Sequence, residues 1–204
     1  MYCILVTGIP AAGKSTMAAS LADKLKLPVI SKDSIKELLF DNVGFKSRQE
    51  KVNLGTAAME IMYYVTEQLM RQGKPFILEN NFENVSKEGL DALLAKYGYS
   101  ALTVTLTGDY RVIYQRFLER NASPDRHRGH VVNDCYPEKE VHGKDQPQVN
   151  SIRYEDYLYG IEHRGFDTFI ANGGQIKVDV ADFSKVDMDL LLKKIMRWCE
   201  DNAE

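Results

Sequence analysis

A glycine-rich turn near the start of the chain constrains the fold more than any other feature. It reads Gly8-Ile9-Pro10-Ala11-Ala12-Gly13-Lys14-Ser15 and lies between an apolar run at 2–7 and a predicted helix at 14–26. The turn fits the pattern G-x-x-x-x-G-K-[ST], in which main-chain N–H groups and a helix N-terminus surround phosphate groups. A strand that turns in this way into a helix predicts an α/β fold.

Short apolar runs alternate with amphipathic segments along the rest of the chain. The predicted strands are 2–7, 28–31, 75–79, 101–107 and 175–180. The predicted helices are 14–26, 34–41, 48–72, 86–97, 109–121, 153–164 and 186–201. This alternation predicts a three-layer α/β/α fold, in which helices cover both faces of a five-stranded parallel sheet. With 204 residues, we expect a single domain over 1–204.

One stretch, 122–152, interrupts the periodic pattern with prolines and glycines among charged residues and histidines. A segment of this length inside a compact domain usually serves as a lid over a binding site. We therefore expect an insertion that closes over the ligand. The histidine spacing fits no common zinc pattern, and we predict no structural zinc there.

The composition narrows the choice of partners and compartment. The net charge is −3 and the pI about 5.9, so no overall cationic field favours nucleic acid or anionic membranes. Nucleic acid stays a possible partner but is not favoured. Three cysteines without a C-x-x-C pair, no leader pattern and no long apolar run predict a cytoplasmic protein without membrane contact. The oligomeric state is not indicated.

The glycine-rich turn predicts ATP and Mg²⁺ as cofactors. Gly8 and Gly13 permit the backbone angles, Lys14 bridges the β- and γ-phosphates, and the Ser15 hydroxyl is a magnesium ligand. The residues expected to bind the nucleotide are Gly8, Ala11, Ala12, Gly13, Lys14, Ser15, Thr16 and Arg116.

A second group of polar residues follows the third predicted strand. Glu79 ends that strand, and we expect it to hold Mg²⁺ directly or through water, although a solvated strand-end carboxylate is the alternative. Asn80 and Asn81 come next, at the sheet edge where α/β folds bind ligands. They are candidates for substrate binding, and a purely conformational turn role is equally open.

The acceptor side is predicted to begin just after the second strand. Asp33 is the candidate general base that takes the proton of a hydroxyl acceptor and also binds that acceptor. Lys36 lies on the same helical face and could stabilise charge on the transferred phosphate. The competing interpretation is helix capping by Asp33 or Ser34, with Glu37 completing a capping box.

Several arginines lead into the predicted lid. Arg116 and Arg120 share one helix face, and Arg126 and Arg128 follow. Guanidinium groups suit phosphate oxygens, so we expect Arg120, Arg126 or Arg128 to reach the γ-phosphate as a catalytic group. A merely solvated charged helix face is the alternative.

The P-loop, Lys32-Asp33-Ser34, Glu79-Asn80-Asn81 and Arg116-x-x-x-Arg120 together resemble one known group. These are the AAA-type ATP-binding P-loop kinases that include zeta-toxin-like kinases, chloramphenicol phosphotransferase and the polynucleotide 5'-hydroxyl kinase domain. The similarity spans roughly 1–130. It implies that Asp33 is the base for a hydroxyl acceptor, that Lys36 is the basic residue one turn later, and that the lid is cationic. This chain has Glu79-Asn80-Asn81 where the group often has Asp-x-Thr-Asn.

The function expected from the sequence is therefore an ATP-dependent kinase that phosphorylates a hydroxyl group of a small molecule or nucleotide-type acceptor. A polynucleotide 5'-hydroxyl kinase is the second hypothesis, and a nucleoside monophosphate kinase the third. Outside the kinases, an ATP-hydrolysing regulatory switch stays open. A guanine-specific switch is not indicated, because the chain contains no Asn-Lys-x-Asp.

Overall fold

The apolar runs of the sequence form a parallel five-stranded sheet in the order β2-β3-β1-β4-β5 in a computed structural model that describes residues 1–138 and 152–203. The strands are β1 (Tyr2–Gly8), β2 (Val29–Ser31), β3 (Phe76–Glu79), β4 (Ser100–Thr107) and β5 (Gly173–Asp179). The three inner strands are almost fully buried, as expected when helices cover both faces of a sheet. The predicted five-stranded parallel α/β fold is confirmed.

Eight α-helices connect and cover these strands in the described parts of the chain. They are α1 (Lys14–Leu25), α2 (Lys32–Asn42), α3 (Arg48–Arg71), α4 (Lys87–Tyr97), α5 (Tyr110–Ala122), α6 (Arg128–Val131), α7 (Tyr154–Arg164) and α8 (Met188–Asp201). One apolar cluster draws on α1, α5, α7 and α8, and a second on α3 and α4. None of the described helices combines the length and the apolar character needed to cross a membrane.

The strand register brings the predicted polar residues to one edge of the sheet. β1 lies between β3 and β4, and Val6 of β1 pairs with Glu79 of β3. Ser31 of β2 pairs with the same glutamate from the other side. Because all strands are parallel, their carboxyl ends meet where α1 and α2 begin, and this is where open α/β sheets bind ligands.

The predicted lid packs against α2 and α3 as far as it is described. Phe45, which precedes α3, forms an antiparallel bridge with Tyr136, and both rings contact a small cluster around Phe40. Gly129 of α6 allows this approach, since a Cβ atom there would lie 2.3 Å from the Phe40 ring. The remainder of the predicted lid, 139–151, lies outside the described residues.

Candidate active site

The turn from β1 into α1 has the backbone of a phosphate-binding cradle. Gly8, Ala11 and Gly13 all have positive φ angles, of 136°, 67° and 84°. A Cβ atom on Gly8 would lie 2.1 Å from the carbonyl oxygen of Leu106, so only glycine fits that position. Alanine is rare in the left-handed region, and such strain concentrates at functional sites. No side chain caps α1, which leaves its first N–H groups for an anion.

Lys14 reaches back over this turn. Its side chain is 8 % exposed, and its Nζ donates a hydrogen bond to the carbonyl oxygen of Ile9 at 3.0 Å. Burial lowers the pKa of Lys14 to about 8, with Arg120 and Arg126 adding to the effect against the carboxylates of Glu79 and Asp33. A phosphate group beside this ammonium would supply the negative charge that its surroundings lack.

Glu79 links the turn to the end of β2. Ser31 Oγ donates a hydrogen bond to Glu79 Oε2, and Ser15 Oγ lies 3.4 Å from Glu79 Oε1. The carboxylate is almost fully buried. Hard oxygen atoms from a hydroxyl and a carboxylate are the ligands that Mg²⁺ prefers, directly or through water. This donor pair fits the predicted magnesium site.

Asp33 lies in the first turn of α2, and its side chain does not cap that helix. The cap is Ser31, whose Oγ accepts from the N–H of Ser34 at 3.3 Å. The alternative that Asp33 or Ser34 serves as the N-cap is therefore wrong. Burial works against ionisation of Asp33, but its interactions with His130 first, and then with Lys32 and Lys14, outweigh burial and hold its pKa below the usual value. The carboxylate is ionised at neutral pH.

Arg120 and Arg126 are the two predicted lid arginines that reach the cavity. Both Nε atoms are buried and have no hydrogen-bond partner in the described parts of the chain. Burial lowers the pKa of both side chains, and for Arg120 the charge of Arg126 adds to this. Arg126 has one distant carboxylate, Glu37, at 3.8 Å. Two half-buried guanidinium groups with so little compensating charge are suited to a polyanion.

Lys36 of α2 lines the same cavity as Arg120 and Arg126. Its Nζ lies 5.3 Å from the centre of the Phe40 ring, a cation–π contact, and next to Gly55 of α3. Burial lowers the pKa of Lys36 to about 8, and Lys32 contributes in the same direction. Lys36 is therefore mostly charged at neutral pH and has no carboxylate partner within 4.0 Å among the described residues.

These groups line a single cavity of about 700 Å³. The predicted site residues around it are Gly13, Lys14, Ser15, Thr16, Asp33, Lys36, Glu79, Asn81, Arg120 and Arg126, with Ala11 at the turn. The volume is in the range of a small-molecule site. The cavity joins the phosphate-binding turn to the start of α2, as a reaction between a nucleotide and an acceptor requires.

Three predicted site residues face elsewhere. Arg116 donates to the carbonyl oxygens of Val180 and Ala181 and so ties α5 to the end of β5. Arg128 forms a two-pronged ion pair with Glu138, with both bonds at 2.8 Å.

The amide nitrogen of Asn80 lies 3.8 Å from Met59 Sδ, so that side chain points into the core. None of the three is among the described residues that line the cavity. We therefore leave Arg116, Arg128 and Asn80 out of the site. Gly8 and Ala12 contribute only backbone shape, and Ala12 is fully buried.

Sequence reasoning missed several basic residues on the α2–α3 side. Lys32, Arg48, Lys51 and His130 all line the cavity. Burial lowers the pKa of His130 to about 3, so its ring is neutral at pH 7, and its Nε2 hydrogen-bonds to Glu37 at 2.8 Å. Arg48 and Lys51 lie at the start of a long amphipathic helix, where charged residues are normally solvated. No local signal distinguishes them, since only the packing of α2, α3 and α6 brings them together.

The cavity has the groups that a magnesium–ATP complex needs. The turn offers N–H groups and Lys14, and the Ser15 and Glu79 oxygens suit the metal. The buried Nε atom of Arg120 has no hydrogen-bond partner among the described residues. These observations support the predicted cofactors.

Comparison with known proteins agrees with this geometry. The AAA domain family matches residues 3–134, which contain the phosphate-binding turn, Asp33, Glu79 and the two lid arginines Arg120 and Arg126. No curated protein matches the sequence.

Two solved structures share the fold across the chain. A "putative kinase" from Chloroflexus aurantiacus J-10-fl is 23% identical with a TM-score of 0.75, covering 98% of this chain and 97% of its own. A sugar kinase from Janibacter sp. HTCC2649 is 13% identical with a TM-score of 0.54, covering 98% of this chain and 94% of its own. The chain therefore belongs to the AAA domain family and has the fold of a P-loop kinase.

Proposed function

We propose that this protein is an ATP-dependent kinase that transfers the γ-phosphoryl group to a hydroxyl group of a small-molecule or nucleotide-type acceptor. One observation carries the proposal: a phosphate-binding turn and the half-buried, ionised carboxylate of Asp33, which is not the cap of α2, line the same cavity. A nucleotide switch needs the turn but has no use for such a carboxylate on the acceptor side.

The donor half of the reaction is a matter of position and charge. The turn and the N-terminus of α1 bind the phosphates, and Lys14 neutralises the β- and γ-phosphates. Ser15 and Glu79 would hold Mg²⁺, which when bound would neutralise part of the phosphate charge. Arg120 and Arg126 face the charge that spreads over the transferred group.

The acceptor half depends on Asp33. The acceptor oxygen forms a bond to the γ-phosphorus, its proton passes to the Asp33 carboxylate, and the bond from that phosphorus to the leaving oxygen of ADP breaks. A carboxylate with a lowered pKa is a weak base, so its main contribution is to orient the hydroxyl in line and to receive the proton late. Lys36 adds positive charge on the same side.

The test is ATP consumption measured against a panel of sugars, nucleosides, hydroxy acids and 5'-hydroxyl oligonucleotides. We expect one chemical class to accelerate ATP loss strongly, and phosphorylated acceptor to form in equal amount. Lys14→Ala should abolish that transfer. A slow rate that no hydroxyl compound changes would instead favour an ATP-hydrolysing switch, and a wild-type rate in Lys14→Ala would refute the role of the turn.

A further inference from the structure

The charges around the cavity are strongly unbalanced. Eight lysine and arginine side chains line it, against three carboxylates, those of Asp33, Glu37 and Glu79. The whole chain has a net charge of −3, so the excess of five positive charges is local. Such an excess in a partly closed cavity attracts anions and raises their local concentration.

The nucleotide accounts for only part of this excess. A magnesium–ATP complex has roughly two negative charges near neutral pH. It would compensate Lys14 and Arg120, which lie on the donor side with the phosphate-binding turn. Arg164 is already paired with Glu83, which does not line the cavity. About two positive charges then stay uncompensated among the cations on the acceptor side.

Three of these acceptor-side cations have no carboxylate partner. Lys32, Lys36 and Arg48 form no ion pair within 4.0 Å in the parts of the chain that the structure describes. Arg48 makes a single hydrogen bond, to Asn133 Oδ1 at 3.1 Å. Lys51 differs, because its Nζ donates to the carbonyl oxygens of His130 and Val132 and to Asn133 Oδ1.

The cations also lie close enough to repel one another. Besides burial, the charges of Lys32, Arg48 and Arg126 each disfavour the charged form of Lys36 and lower its pKa. Arg126 is also poorly compensated, because its buried Nε atom has no hydrogen-bond partner among the described residues. Repulsion between these positive charges destabilises the folded protein. Such clusters are typical of functional sites, where a bound anion supplies the compensating negative charge.

From these observations we infer that the acceptor is itself an anion: a small alcohol that also has a phosphate or carboxylate group, bound by Lys32, Lys36 and Arg48 while its hydroxyl faces Asp33. The inference rests on the proposed kinase function. A small acceptor fits better than a polynucleotide, because the cavity of about 700 Å³ has the size of a small-molecule site and α6 packs against α2 at its side, where His130 contacts Glu37.

A binding measurement tests the anion site without any turnover. The donor site is filled with Mg²⁺ and a non-hydrolysable ATP analogue, and inorganic phosphate or acetate is then titrated by calorimetry. We expect phosphate to bind, and Arg48→Gln to weaken its binding roughly tenfold, as for the loss of one charge-assisted contact. Lys46→Gln is the matched control, since Lys46 is two residues away and is not among the described residues that line the cavity. Absence of binding, or equal binding in both variants, overturns the inference.

Matched alcohols then identify the anionic group. Glycerol is compared with glycerate and glycerol phosphate, and a nucleoside with its monophosphate, by ATP consumption. We expect the charged member of a pair to be the better acceptor, and Arg48→Gln to reduce that preference. If neutral alcohols or 5'-hydroxyl oligonucleotides are the better acceptors, the kinase proposal stands and the inference fails. If no alcohol accelerates ATP loss, the kinase proposal fails, while the phosphate titration still decides whether the anion site exists.

Discussion

Asp33 is the residue whose replacement should separate chemistry from nucleotide binding. Asp33→Asn keeps the size of the side chain and the Ser31 cap of α2, but it cannot accept a proton. We expect the phosphoryl-transfer rate to fall by roughly 10²- to 10⁴-fold, the range for loss of a general base. The affinity for a magnesium–ATP analogue should change little. Single-turnover kinetics and calorimetry measure the two quantities.

Asp41, about two turns further along α2, provides a matched control for Asp33→Asn. Asp41 accepts a hydrogen bond from Tyr136 at 2.8 Å and contacts His127, and it is not among the described residues that line the cavity. Asp41→Asn should therefore leave the chemical step near its wild-type rate. An equal loss of nucleotide affinity in Asp33→Asn would assign Asp33 to the metal site instead.

Glu79 tests the predicted magnesium site in the same way. Glu79→Gln keeps the hydrogen-bonding partners at Ser15 and Ser31 but removes the negative charge. We expect the Mg²⁺ concentration for half-maximal activity to rise roughly tenfold or more, since a charged ligand is exchanged for a neutral one. Magnesium titrations at saturating ATP measure this shift. An unchanged Mg²⁺ requirement would assign Glu79 a purely structural role between the P-loop and β2.

At the residue scale, the predicted residues that line the cavity include those whose position is fixed by local sequence. Lys14 and Ser15 follow from the turn, and Asp33 and Glu79 follow from strand ends, because parallel strands end at one edge. Local sequence is not sufficient for Arg116 and Arg128, which are not among the described residues that line the cavity. A sequence shows that an arginine is near a lid, but its partner, such as Glu138 for Arg128, depends on how the chain folds back.

At the scale of elements, Lys51 of α3 anchors the described part of the lid. Lys51 is 4 % exposed. Its ammonium group donates to the carbonyl oxygen of His130 in α6, and to the carbonyl oxygen of Val132 and the amide oxygen of Asn133 just after α6. In Lys51→Met these three acceptors lose their donor. We expect a loss of roughly 1–3 kcal/mol in the free energy of unfolding, the usual cost of unpaired buried groups. Chemical denaturation measures it.

Hydrogen exchange shows where that loss occurs. We expect faster amide exchange around α6, at 128–133, and little change in β1 and β4. Lys46→Met removes an exposed lysine from the same region and should alter neither quantity. Uniformly faster exchange across the sheet would mean that Lys51 supports the whole fold and not the lid alone.

The elements themselves were largely predictable. All five strands and seven of the eight helices follow from apolar periodicity, because a buried parallel sheet requires continuous apolar runs. The short helix α6 was missed, since four residues are too few for a periodic pattern. The lid was predicted as an irregular segment, but its packing on Phe40 and Phe45 depends on long-range contacts that the sequence does not display.

At the scale of the whole molecule, an acidic protein encloses a cationic cavity, and this contrast couples nucleotide binding to protons. The pKa of Lys14 is lowered to about 8 by burial, with Arg120 and Arg126 contributing. The charges of Glu79 and Asp33 oppose that shift but do not cancel it. A bound triphosphate adds negative charge beside Lys14 and therefore raises its pKa above that of the unliganded protein.

The sign of the pH dependence follows from this difference in pKa. Between about pH 8 and the higher pKa of the complex, the complex binds more protons than the unliganded protein does. Affinity for a magnesium–ATP analogue should therefore fall as the pH rises above 8, by at most about tenfold per pH unit for one proton. Below pH 7 this contribution should be constant, because Lys14 is then charged in both states.

Calorimetry at pH 8.5 in two buffers with different ionisation enthalpies measures the proton uptake directly. We expect roughly half to one proton per nucleotide, taken from the buffer by Lys14. The matched control is Lys36→Gln: Lys36 also has a pKa lowered to about 8, but it lies on the acceptor side, so most of the uptake should persist in this variant. A binding heat that does not depend on the buffer would show that the triphosphate does not lie beside Lys14, and loss of the uptake in Lys36→Gln would place the terminal phosphate at α2.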